Sequence, residues 1–126
     1  MIGLIEELNT MRKIKYIPLI LIFSANVGAA FTEPEMRQLH EINKTYLKKE
    51  VDSREKLNVA IKESIANLPK EKSNILKLHD LWSQATKIKC RLAILESLNT
   101  DAETASKYEC LANEYTLEAD FLNSTY

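Results

Sequence analysis

Between Pro34 and Leu68 the apolar residues Met36, Leu39, Ile42, Tyr46, Leu57, Ile61, Ile65 and Leu68 recur mainly at intervals of three and four. That spacing collects side chains on one face of an α-helix. Asp52 and Ser53 interrupt it, and Asp52 with Glu55 has capping-box spacing, so the segment reads either as one kinked helix or as two short ones. Pro69 ends the element, because proline keeps the residue before it out of the helical region and suits the first turn of a new helix. A second stripe runs Ile75, Leu78, Trp82, Ala85, Ile88, Leu92, Leu95 and stops at the polar stretch Asn99, Thr100, Asp101. Thr100 followed by Glu103 is a second capping-box signature, opening a third helix with Ala105, Tyr108, Leu111, Tyr115 and Leu122 on one face. No segment alternates apolar and polar residues at strand length, and no internal repeat or low-complexity tract is present. The pattern predicts an all-α fold, a small antiparallel three-helix domain.

Ahead of these helices stands a different kind of segment. Arg12, Lys13 and Lys15 form a positive n-region, Ile17 to Phe23 a short apolar stretch, and Val27, Gly28, Ala29 and Ala30 a small-residue cleavage site. The apolar run contains Pro18 and falls well short of the roughly twenty residues that cross hydrocarbon, which favours a signal peptide over an anchor. Glu6 and Glu7 put negative charge where such a leader wants positive charge, so Met11 is the expected start. Residues 1–30 are therefore expected to be an N-terminal extension and signal peptide, and residues 31–126 the helical domain. Cleavage after Ala29 or Ala30 leaves a periplasmic or secreted protein without stable membrane insertion.

Export changes the meaning of the two cysteines. Cys90 and Cys110 would meet an oxidising compartment with no other thiol in the chain, which favours one disulfide. A cysteine-type metal site needs further ligands at short spacing, and His40 and His79 do not supply them. The bridge would staple the second helix to the third beside the loop that joins them.

Composition narrows the function classes. Over 126 residues the charge is 28% and the net charge −1, too balanced for nucleic acid or an anionic membrane surface as the default partner. The charge-rich stretch from Lys44 to Lys62 alternates in sign and reads as a solvated helix face. His79 beside Asp80 invites an acid–base reading, but sequence neighbours on a helix point apart, and His79 is expected at the surface. Trp82, Tyr108, Tyr115 and Phe121 are expected in packing roles. Phosphate loops, metal motifs and nucleophile elbows are absent, so neither an enzyme nor a cofactor is expected.

Three landmarks together, Leu57-Asn58, Trp82 with Cys90 eight residues on, and Cys110-Leu111 after a polar loop, resemble the lysozyme-inhibitor LprI-like N-terminal domain family. The likeness spans nearly all of the domain. Members often carry an aspartate and an aromatic flanking the Leu-Asn pair, where this chain has Arg54 and Ile61, and an arginine-aspartate pair where it has Thr86 and Lys87. An arginine usual after the final threonine is Ala119 here, and a further cysteine of the first helix corresponds to Thr45. The scaffold thus carries over better than any polar site.

The resemblance implies a helical, disulfide-tied protein of the bacterial envelope, some of whose relatives are associated with inhibiting lysozyme. An inhibitor must present a rigid protrusion to a cleft whose carboxylates do the chemistry. The candidate is the loop from Asn99 to Lys107, with Asn99, Asp101 and Lys107 as contact residues. The alternative is a structural or adaptor module that binds another envelope protein through an exposed helix face.

Overall fold

A computed structural model describes residues 32–125. The signal peptide expected over residues 1–30, with its start at Met11, lies outside them. Three helices account for most of the described chain: α1 (Glu33–Asn67), α2 (Lys72–Ala93) and α3 (Glu103–Asn123). No described residue is in a strand. The all-α, three-helix, one-disulfide reading holds.

Helix α1 opens on a capping box that the apolar pattern does not reveal. The Glu35 N–H donates to Thr32 Oγ1 at 3.4 Å, and the Thr32 N–H donates to Glu35 Oε2 at 3.2 Å. The helix then runs 35 residues without interruption through Asp52. Asp52 caps no new helix: its carboxylate instead accepts from Lys48 Nζ one turn back at 2.9 Å, an exposed pair on the continuous helix. Leu68 leaves the helix at φ −128° and ψ 62°, as a residue before proline must, and Pro69–Glu71 form a 3-10 turn leading into α2.

The apolar pattern places the faces of α1 and α2 only in part. On α1 Leu39, Asn43, Tyr46, Glu50, Ser53, Leu57, Ala60 and Ser64 form a covered or half-covered seam of alternating four- and three-residue steps, with Ile61 and Ile65 beside it, whereas Met36 and Ile42 are exposed. On α2 the inward line is Ile75, His79, Trp82, Thr86 and Cys90, and Ile88 and Leu92, expected inside, are 64% and 63% exposed. Leu95 is exposed too, since α2 ends at Ala93 and Leu95–Ser97 form a 3-10 turn. The bridge at Cys90 decides this: it points that side of α2 at α3, and the Ile88–Leu92 side must face outward.

The core is small and sits at one end. Leu57, Ala60 and Ile61 of α1 meet Ile75 of α2 and Ala119 and Leu122 of α3, with Ile65, Leu68, Leu78 and Tyr115 packed around them. Burial of each large aliphatic there stabilises by about 1.5–3 kcal/mol. Helices α2 and α3 run antiparallel, so contacts step from His79–Glu118 through Trp82–Glu114 to Cys90–Cys110. The disulfide, with Cα atoms 5.6 Å apart and 20 residues of separation, fastens the end remote from the core.

A loop of that size stabilises by about 3 kcal/mol when closed. The Cys90→Ser/Cys110→Ser variant is therefore expected to lose roughly that much stability in urea unfolding, with a somewhat steeper slope because the unbridged denatured chain exposes more surface.

Candidate functional site

The connection between α2 and α3 is short and internally braced. Thr100 Oγ1 donates to the Ser97 carbonyl at 2.6 Å, and the Ala102 N–H donates to Thr100 Oγ1 at 3.3 Å. The Asn99 N–H donates to Glu103 Oε2 at 3.3 Å, a variation on the capping box expected from Thr100 and Glu103. Asn99 itself sits at φ 62°, the left-handed region that asparagine tolerates better than most residues. The backbone therefore turns sharply, leaving Asn99 and Asp101 exposed at its tip.

The expected loop from Asn99 to Lys107 is contracted: α3 starts at Glu103 with Ala102 at its N-cap and no side-chain capping bond, so the Thr100 and Glu103 side chains brace the turn before the helix instead of capping it. Lys107 lies on the helix, a full turn past its start. It is brought instead to a groove of about 600 Å³ between α2 and α3. Thr86, Lys87, Cys90 and Arg91 of α2 form one wall, Ile94 and Leu98 close the end, and Lys107, Leu111 and Tyr115 of α3 form the other wall. Asn99 and Asp101 do not line it. Lys87, Arg91 and Lys107 make no ion pair among the described residues.

A second polar assembly lies on the faces where the helices meet. Glu50, Glu114 and Glu118 are buried, three carboxylates in a domain with a modest apolar core. Each has a partner. Glu118, 2% exposed, hydrogen bonds with His79 Nδ1 at 2.7 Å, Glu114 pairs with Lys89 and accepts from Trp82 Nε1 at 3.4 Å, and Glu50 lies 3.7 Å from Arg54. Burial pushes the Glu118 carboxyl above its ordinary value, and His79 partly offsets that by its hydrogen bond and charge. Tyr115 is also raised, chiefly by burial and then by the nearby Glu50 carboxylate.

His79 is thus not the free surface histidine expected; it is half-buried and held across the helix interface, while its neighbour Asp80 is exposed and accepts from Gln84 Nε2 at 2.9 Å. Trp82 is half-buried at the rim, tilted 45° against Phe121 with ring centroids 6.1 Å apart. A signal for this assembly exists in the sequence: with Cys90 joined to Cys110, antiparallel register brings His79 and Trp82 to within about one helical turn of Glu118 and Glu114. The dyad of His79 and Glu118 can hold and exchange a proton, and no serine or cysteine hydrogen bonds to it, both cysteines being in the bridge. Among the described residues no group of three His, Cys, Asp or Glu is placed to hold a metal, and no helix is long and apolar enough to cross a membrane.

Comparisons with family models, with curated proteins and with solved structures give no match to this chain.

A raised carboxyl value ties stability to pH. The folded state holds the Glu118 proton more tightly than the unfolded state, so its contribution is complete below 4.5 and is lost as pH rises through the raised value. Glu118→Gln keeps the shape and does not titrate. It is expected to match the parent protein near pH 4 and to exceed it in stability at pH 8, in paired thermal melts.

Proposed function

We propose that this is an exported envelope protein that acts by binding another protein, with a lysozyme-type muramidase as the leading partner, through the end of the domain that carries the disulfide. One observation carries the reading: the braced connection from Leu98 to Ala102, flanked by the bridge, exposes Asn99 and Asp101 on a backbone already held in place. A preordered protrusion binds with less loss of freedom than a flexible one. The cations Lys87, Arg91 and Lys107 stand beside the same end and suit a cleft lined by carboxylates, where they would steer association. The likeness to the LprI-like family points the same way. In this reading the protein blocks chemistry rather than performing any.

A second reading has its own observation. Leu81, Ala85, Ile88 and Leu92 form an exposed stripe on α2 at helical spacing, continued by Leu95. Such a face suits an adaptor that docks a helix or groove of an envelope protein.

The two separate in a cell-wall lysis assay with the purified oxidised protein titrated against several lysozymes. Saturable inhibition is expected, weakened at least about tenfold by Asn99→Ala/Asp101→Ala and retained by Ile88→Asp/Leu92→Asp. Absence of inhibition at large molar excess would overturn the muramidase reading in favour of the adaptor.

A further inference from the structure

The groove between α2 and α3 has a chemistry of its own, independent of whether the connection above it binds a muramidase. Its floor is apolar, made by Cys90 of the bridge, Ile94, Leu98 and Leu111. Its rim carries three cations, Lys87, Arg91 and Lys107, against one anion, Glu103, whose carboxylate already accepts from the Asn99 backbone. None of the three cations is ion-paired among the described residues. Unpaired like charges around one opening repel, and a bound anion relieves that repulsion.

A buried group inside the same wall points to a ligand as well. Thr86 is 3% exposed, lines the groove, and its Oγ1 has no hydrogen-bond partner. An orphaned buried hydroxyl is costly, and an acceptor reaching it from the groove would satisfy it. The volume of about 600 Å³ lies within the range of small-molecule sites. An apolar floor with a cationic rim suits an amphiphile with an anionic head and an apolar tail. Arg91 can grip a planar carboxylate with two parallel hydrogen bonds.

We propose that this groove binds a long-chain carboxylate, its head among Thr86, Lys87, Arg91 and Lys107 and its tail over Cys90, Ile94, Leu98 and Leu111. The test is isothermal titration of the oxidised protein with dodecanoate below its micellar range, beside dodecanol, dodecyl phosphate, dodecyltrimethylammonium and acetate. Dodecanoate is expected to bind one to one, about tenfold or more tighter than each comparison compound. Lys87→Glu/Arg91→Glu should weaken it at least about tenfold, and Thr86→Val, which preserves shape, about threefold or more, with circular dichroism showing both variants folded. Equal binding of dodecanol, tighter binding of dodecyl phosphate, or affinity unchanged by Lys87→Glu/Arg91→Glu would overturn the assignment. No measurable heat with dodecanoate would overturn it too.

Discussion

The register between α2 and α3 is the constraint on which the rest of this structure depends, and the Cys90–Cys110 bridge fixes it. An apolar core gathered around Leu57, Ile61, Ile75 and Leu122 holds one end of the three-helix domain, while of its apolar residues the other end buries only Ile94 and Ala112 beside the bridge. A covalent link there substitutes for packing, as small domains with limited cores require. Because helices are rigid, one bridge sets which side chains meet along the whole interface. His79 falls opposite Glu118 and Trp82 opposite Glu114, and the walls of the groove are placed by the same pairing.

That constraint also explains the unusual content of the seam. Buried carboxylates are costly unless paired, and here each has a cation, an imidazole or an indole N–H within reach. Such pairs contribute little net stability compared with apolar residues of similar size, yet a slipped register would leave them unpaired. The polar seam therefore penalises alternatives to this packing more than it strengthens the packing itself.

The sequence carried the local signals well: Leu68 before Pro69, Thr100 before Glu103 and the lone pair of cysteines each have a physical meaning confined to a few residues. Where meaning depended on a partner helix, the pattern misled. Ile88 and Leu92 belong by spacing to an apolar face, but Cys90 turns that face outward, and Thr86, polar by type, goes in. Glu50, Glu114 and Glu118 look like solvated charges until Arg54, Lys89 and His79 are seen beside them. Lys107 was legible as a cation near the turn, but its place in the groove was not, since the other wall is built from residues of α2 some twenty positions earlier.

The measurement that bears most directly on this account is amide hydrogen exchange of the oxidised and reduced proteins, resolved residue by residue. If the bridge holds the register at the end remote from the core, reduction accelerates exchange from Thr86 to Lys107 while Leu57 to Ile65 and the amides around Leu122 keep most of their protection. Equal protection in both forms, or a uniform loss across all three helices, would contradict it.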